Sequence, residues 1–269
     1  MPGIRDSLDW FLSLDEWQRL EPAGGRTHPA AAIVITAGFL VTVMSFDRHS
    51  LLAPLPLLVY PLVALAGAGL PVRLLVKPLL LVEPFVLGVG ILHPFLDRRP
   101  VDLAGFQVAG GWLILASLVL KCTLAASAAL LLAATQGMER LAAGLRTLGV
   151  PRLFVLQLIL THRYLRVILE EAGRLTLAAF LRSGGGKPRL REWGAMAGGL
   201  LIRSCGRAER IHLAMRLRGF AGEWQSGPGP SGSGLDLARV AGWLAFFALA
   251  RLHNLPAMLG ESLMGAVTA

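Results

Sequence analysis

Two short stretches set leucine and arginine at matched spacing, and an arginine at a helix end is a group that can dock. Residues 176–186 read TLAAFLRSGGG, with Leu177 and Leu181 ahead of Arg182 and Ser183. Residues 212–224 read HLAMRLRGFAGEW, with Leu213 and Leu217 ahead of Arg218 and Gly219. The offset is 36 residues throughout, and it also aligns Arg174 with Arg210 and Ala178 with Ala214. One offset earlier, Leu141-Ala142 and Leu145-Arg146 fit the core of the same pattern. In a helix the two leucines are i, i+4 neighbours on one stripe, and the arginine stands at its end. The leucines can seat the helix tip in a groove while the planar guanidinium forks onto a carboxylate. A cation in the last turn followed by glycine is also ordinary helix capping, worth about 0.3–1 kcal/mol. Capping needs no Leu-Ala-x-x-Leu-Arg upstream, so the matched copies favour docking.

Other chemistry is thinly represented. The stretch GGGKP at 184–188 fails as a phosphate loop, which needs glycine where Leu181 stands and Ser or Thr where Pro188 stands. The six histidines (His28, His49, His93, His162, His212, His253) are scattered without metal-ligand spacing, and Cys122 and Cys205 suggest neither zinc nor a disulfide framework. No cofactor is expected. Glu83 and Lys121 lie in apolar stretches, where a charge is a functional candidate. They can pair across helices, or each can mark a helix end or snorkel. The basic region carries leucine stripes in place of exposed aromatics or a nucleic-acid motif, which disfavours nucleic-acid binding.

Hydropathy and charge say which helices carry the arginine tips. Mean hydropathy is +0.60 and only 16% of residues are charged, which predicts an all-α polytopic membrane protein. Four stretches approach the roughly 20 apolar residues needed to cross a bilayer: 30–46, 51–70, 78–96 and 108–135. The second and third are rich in proline, which membrane helices tolerate when neighbours re-satisfy the backbone. A fifth candidate, 237–252, is flanked by Arg239 and Arg251, so four to five spans are expected.

Between the fourth and fifth candidates lies a long stretch with no apolar run of spanning length. From 136 to 220 there are 15 basic residues against five acidic, so the remainder of the +9 chain is close to neutral. Positive charge retained on the inner side makes this region cytoplasmic, and an even number of preceding spans puts the N-terminus there too. The loop with Arg73 and Lys77 then falls inside; Arg98 and Arg99 fall outside, offset by Asp97 and Asp102. The region reads as amphipathic helices: 136–148; a long one from Pro151 to Arg182; one from Leu190 towards Ser204; another from Cys205 to Gly219. In the long helix Arg163, Arg166, Glu170 and Arg174 form a polar stripe, opposite Leu158, Leu165, Ile168, Leu169, Ala172 and Leu175. The divisions are thus 1–29 (N-terminal segment), 30–135 (spans), 136–225 (basic helices), 226–234 (SGPGPSGSG linker) and 235–269 (last span and C-terminus). The N-terminal segment does not read as a cleaved signal; Leu8, Phe11, Leu12 and Trp17 fit one face of an interfacial helix.

These residues carry a resemblance. THRYLRVILEEAGRLTLAAFLRS (161–183) and LLIRSCGRAERIHLAMRLRGFAG (200–222) resemble the transmembrane T component of energy-coupling factor transporters, in the cobalt-type CbiQ branch. The second is the more specific, with Arg203-Ser204, Arg207-Ala208-Glu209-Arg210 and Ala214-Met215 leading into Arg218-Gly219-Phe220. The resemblance implies two coupling helices ending in an Ala-Arg-Gly-like motif, each arginine docking on one ATP-binding-cassette ATPase subunit. By position these motifs are Leu181-Arg182-Ser183 and Leu217-Arg218-Gly219, with Leu for the usual Ala in both and Ser for Gly in the first. It further implies a non-catalytic subunit of the bacterial cytoplasmic membrane that passes ATPase motion to a separate substrate-binding subunit, CbiM-like with a small CbiN-like companion. Cobalt is the implied substrate, with nickel or a vitamin as alternatives. Readings of a different class are a membrane-embedded enzyme built on Glu83 and Lys121, and an adaptor whose basic helices bind anionic lipid.

Overall fold

The computed structural model describes residues 27–47, 50–51, 53–96, 100–103, 106–184, 186, 189–220, 222 and 233–252. The expected interfacial segment before residue 27, the loop arginines Arg98 and Arg99 and most of the 226–234 linker lie outside the described residues.

Among the described residues seven helices dominate: α1 (Pro29–Ser45), α2 (Val59–Ala68), α3 (Arg73–Gly90), α4 (Gly110–Thr147), α5 (Arg152–Arg182), α6 (Leu190–Leu217) and α7 (Gly234–Leu252). A 3-10 turn at Leu55–Leu58 leads into α2, so proline-rich 51–70 holds one ten-residue helix rather than a continuous one. α3, in contrast, runs through Pro78 and Pro84. The all-α expectation meets one exception. Pro100–Leu103 and Phe106–Ala109 form an antiparallel two-stranded hairpin, with Leu103 opposite Phe106. Its strands carry Val101, Phe106 and Val108, β-prone types that a search for spans passes over. Among the described residues α4 is the one helix long and apolar enough to cross a membrane by length and composition; Pro29–Ser45 and Leu55–Ala68 are shorter apolar helical segments.

The chain divides into two compact units, and the boundary falls inside α4 at Gly137–Met138. Gly137 has φ 68° and ψ 162°, a conformation open essentially to glycine alone, so the helical hydrogen-bond pattern breaks there. α4 therefore covers both the apolar stretch and most of the basic helix expected at 136–148, with Gly137 between them.

In the unit holding α1–α3, the first part of α4 and α7, the core is aromatic. Phe39, Tyr60 and Phe247 are buried with Val43, Leu57, Leu124 and Ala128. Phe39 lies 4.7 Å from Tyr60 and 5.5 Å edge-on to Phe247, while Trp243 meets Tyr60 at 5.1 Å. Such ring pairs add to simple burial through their quadrupoles. The Tyr60 hydroxyl is satisfied by Thr36 at 3.0 Å. α1 and α7 run parallel and are tied at both ends. At the start, the His28 N–H donates to Asp236 Oδ1 at 3.2 Å. At the finish, Arg251 donates to the Ser45 hydroxyl and carbonyl at 3.0 and 3.2 Å. The Arg251 guanidinium also sits 5.2 Å over the Phe46 ring.

Asp236 lies one residue before the apolar stretch of α7 and accepts the Ser233 N–H as well, closing the first turn. Desolvation pushes its carboxyl up, but hydrogen bonds from His28 and Ser233, with Arg239 nearby, outweigh this and hold it below its ordinary value of 3.8. A lowered carboxylate contributes stability in full above its ordinary value and loses it as pH falls through the lowered one. The thermal midpoint of the purified chain is therefore expected to drop in that acid range. Asp236→Asn should lower the midpoint at neutral pH and flatten the acid limb; an unchanged acid limb would remove this tie from the account.

In the second unit, α4 ends as a helix–turn–helix into α5. Gly149 and Val150 donate to the Arg146 and Leu145 carbonyls at 3.1 Å, and Ala142 packs against Val155 and Ile159. α6 is a single helix, which corrects the expected division near Ser204–Cys205. No proline interrupts 190–217, the Ser204 hydroxyl bonds back to the Leu201 carbonyl at 2.8 Å, and Gly206 takes ordinary helical geometry. Its start is capped by Glu192, whose carboxylate accepts the Arg189 N–H at 3.0 Å.

Candidate functional site

The candidate site is built on α5 and α6, which form an antiparallel hairpin. Glu171 on α5 meets Arg203 and Arg207 on α6. Farther along, Tyr164, Val167 and Ile168 face Ala208, Ile211 and Met215 across an apolar groove of about 420 Å³. Because the helices run in opposite directions, Arg182 and Arg218 stand at opposite ends of the hairpin. From the helix rise the two tips are on the order of 35 Å apart.

Both tips are presented to the outside. Leu181 is 69% exposed and Leu217 is 89% exposed, and Leu177 and Leu213 are exposed behind them. Arg182 and Arg218 are exposed as well, and neither has a hydrogen-bond or ion-pair partner among the described residues. The Arg146 copy is different in kind. Its Ala142 is fully buried, Leu145 packs on the same cluster, and Arg146 is not free. The spacing groups three helix ends, of which the Arg146 end rests its Ala142 and Leu145 on the next helix while the other two stand open.

The two open tips also differ in their stop. α6 closes on Gly219 at φ 78°, whose N–H donates to the Arg216 carbonyl at 3.0 Å while Phe220 donates to Met215 at 3.0 Å. Arg218 is the last, half-helical residue. In α5 the left-handed residue is Gly184 at φ 64°, one position later, because Ser183 occupies the place of Gly219 and a side chain disfavours that conformation. Ser183 stays near helical geometry, and its hydroxyl lies 2.9 Å from the carbonyls of Phe180 and Gly186. Arg182 thus belongs to the last full helical turn, whereas Arg218 is the cap itself. Gly219→Ala is expected to cost about 1–2 kcal/mol at the end of α6, read as faster amide exchange at positions 219 and 220 with the rest of the helix unchanged.

Glu83 and Lys121 do not pair. The Lys121 ammonium donates to the Phe46 and Asp47 carbonyls at 2.7 and 2.9 Å, and Glu83 accepts from the Thr123 hydroxyl. The reason is helical phase. Lys121 and Thr123 are two residues apart and point to nearly opposite sides of α4, and Glu83 faces the Thr123 side. Lys121 instead caps the carbonyls beyond the end of α1.

Glu171 was missed at the level of sequence. Its side chain is 14% exposed, and it accepts Arg203 at 3.4 Å and Arg207 in a closer ion pair. The 36-residue alignment sets Glu171 against Arg207, an opposite-charge pair. An alignment does not say that two helices meet there, so the signal became readable only with the hairpin. Of the expected polar stripe, Arg174 reaches Glu170 at 3.9 Å on the exposed side.

The family model described as cobalt transport protein, CbiQ, matches residues 26–227. The chain belongs to the CbiQ family. No curated protein matches it. The CbiQ match takes in both tips and the Glu171 cluster, and it bears out the resemblance to the T component of energy-coupling factor transporters. CbiQ is a transport family. α7 lies beyond the matched residues, although its Phe247 completes the aromatic core.

Proposed function

We propose that this chain is the transmembrane coupling subunit of an ATP-driven cobalt importer. Its tips Leu181-Arg182-Ser183 and Leu217-Arg218-Gly219 dock on two ATP-binding-cassette ATPase subunits. The observation that carries the reading is the pair of exposed leucine–arginine tips at opposite ends of one hairpin. A single socket could not receive both at that separation, whereas two ATPase subunits supply two sockets. An unpartnered guanidinium gains a charge-assisted, bidentate bond on docking, and the leucine beside it leaves water.

α1, the Leu55–Ala68 segment, α3 and α4, with α7 as a fifth candidate, supply four to five spans of the bacterial cytoplasmic membrane, and the parallel course of α1 and α7 is what first and fifth spans require. The N-terminus and the α5–α6 hairpin are cytoplasmic. ATP-driven closure of the two ATPase subunits draws the tips together, and the hairpin passes this motion to a CbiM-like substrate-binding membrane subunit with its CbiN-like companion. Substrate choice lies with that partner, so cobalt follows from the family and nickel or a vitamin are what a test must separate from it.

The test is uptake into proteoliposomes holding this chain with its ATPase and substrate-binding partners. ATP-dependent accumulation of radioactive cobalt, competed poorly by nickel, is expected. Accumulation of nickel or a vitamin alone would replace the substrate. A catalytic turnover by the purified chain alone, or liposome binding with no protein partner, would replace the function.

A further inference from the structure

We propose that the cavity beside Gln136 holds the headgroup of a phospholipid whose terminal group donates a hydrogen bond, as ethanolamine or glycerol does. This goes beyond the coupling-subunit reading and takes from it only that the unit holding α1 and α7 lies in a bilayer.

Four elements bring their ends together there. The start of α1, the last turns of α2, the turns of α4 just before Gly137 and the start of α7 enclose about 320 Å³. All of the lining residues belong to that one unit. The volume lies at the lower end for small-ligand sites, room for a headgroup and the beginning of its chains. The walls are of two kinds. Ile35, Val63, Leu131, Leu132 and Trp243 make the apolar part, and Thr135, Gln136 and Arg239 make the polar part. Along α4 the change from Leu131 to Gln136 takes about 8 Å, comparable with the headgroup layer on one side of a bilayer. Val63 is 50% exposed, so the α2 wall opens outward and leaves acyl chains a way into the surrounding lipid.

Gln136 is what points to a ligand. It lines the cavity and is 7% exposed, and its Oε1 is buried with no hydrogen-bond partner among the described residues. Native interiors rarely leave such a group unmet. The nearby hydroxyls are engaged elsewhere: Thr135 donates to the Leu131 carbonyl at 2.7 Å, and Thr36 and Tyr60 bond each other at 3.0 Å. A lone water is a poor fit. It needs only about 10–15 Å³ and two to four polar partners, whereas most of this wall is hydrocarbon. The last torsion of a glutamine is broad and its amide carries both donor and acceptor, so a well-matched ligand offers both. Phosphate oxygens accept, and a terminal ammonium or hydroxyl donates. Arg239 adds a cation at the mouth, 44% exposed and 3.8 Å from Asp236. A guanidinium with five N–H donors serves a carboxylate and a phosphate together. A choline headgroup has the phosphate but not the donor, because its nitrogen is fully methylated.

The experiment uses the full chain, stripped of lipid in detergent and titrated with phosphatidylethanolamine or phosphatidylcholine of matched chains. Native mass spectrometry reads the lipid bound per chain, and the unfolding midpoint is followed in parallel. One phosphatidylethanolamine per chain is expected, bound roughly tenfold tighter than phosphatidylcholine, the size of one hydrogen bond to a charged group. It should also raise the midpoint, as a ligand of the folded state does. Gln136→Leu removes the amide at similar volume and should abolish the preference while leaving ATPase capture normal. Ala64→Phe, in the α2 wall of the cavity, should weaken both lipids. Equal affinity of the unmodified chain for the two lipids would overturn the site, as would a preference that survives Gln136→Leu or binding untouched by Ala64→Phe. Phosphoethanolamine alone should bind far more weakly than the lipid; equal affinity would make the ligand a soluble phosphate ester and the lipid assignment wrong. An unmodified chain that keeps the lipid preference yet captures no ATPase would fell the coupling reading and leave this site standing.

Discussion

Replacing Arg182 and Arg218 together with glutamate is expected to remove the ATPase subunits from the purified assembly and abolish uptake, with the chain still in the membrane. The size of the effect follows from where the side chains sit. Both are exposed, and neither has a partner among the described residues, so the fold spends nothing on them. Docked, each would make charge-assisted bonds of about 1.5–3 kcal/mol, and reversal adds repulsion from the receiving carboxylate. Two tips on one hairpin bind as a bivalent unit, so the loss of one lowers avidity by orders of magnitude and the loss of both removes it. Either single variant should retain weak capture that salt disrupts. Thermal stability and membrane-fraction yield of the double variant should match the unmodified chain. If its ATPase capture is normal, the arginines are helix caps and the docking account is wrong.

The second large effect concerns the core rather than the tips. Phe247→Ala should destabilise the unit containing α1 and α7 by about 3–5 kcal/mol, the usual range for an aromatic truncated in a packed interior. Phe247 is 1% exposed and touches the rings of Phe39, Tyr60, Trp243 and Phe246. Its loss leaves a cavity between two parallel helices that Ser45–Arg251 and His28–Asp236 hold at fixed separation, so the site cannot collapse to fill it. The result should appear as a markedly lower unfolding midpoint in detergent. Leu249→Ala, at a residue 52% exposed, should shift the midpoint little. Equal behaviour of the two variants would mean that α7 is peripheral. The comparison matters because α7 lies outside the residues matched to the family.

How far the sequence could be read is clearest at particular residues. The helix α5 was legible end to end, because 152–182 holds no proline and its apolar positions recur at helical spacing. Arg182 and Arg218 were legible as helix ends because glycines follow them. The division of α6 was misread: Ser204, Cys205 and Gly206 look like punctuation, yet weak helix formers in a helix packed against a neighbour are overridden by that packing. The Glu83–Lys121 pair failed on phase, since apolar content identifies a span but does not say which way a residue within it points. At Arg146, the weaker match, the arginine is exposed too, but Ala142 is buried against Val155 and Ile159, which arrive from the next helix. Glu171 was invisible until the hairpin existed, because its partners lie 32 and 36 residues away on another element. Single elements were therefore readable, and relations between elements were not.

The most direct measurement is affinity purification of the tagged chain from native membranes, with the bound proteins identified and counted. Two ATP-binding-cassette subunits and one substrate-binding membrane protein per chain are predicted, with the ATPases lost in the Arg182→Glu, Arg218→Glu variant and the membrane partner retained. Recovery of the unmodified chain without any ATPase, under conditions that keep its membrane partner bound, would contradict the account.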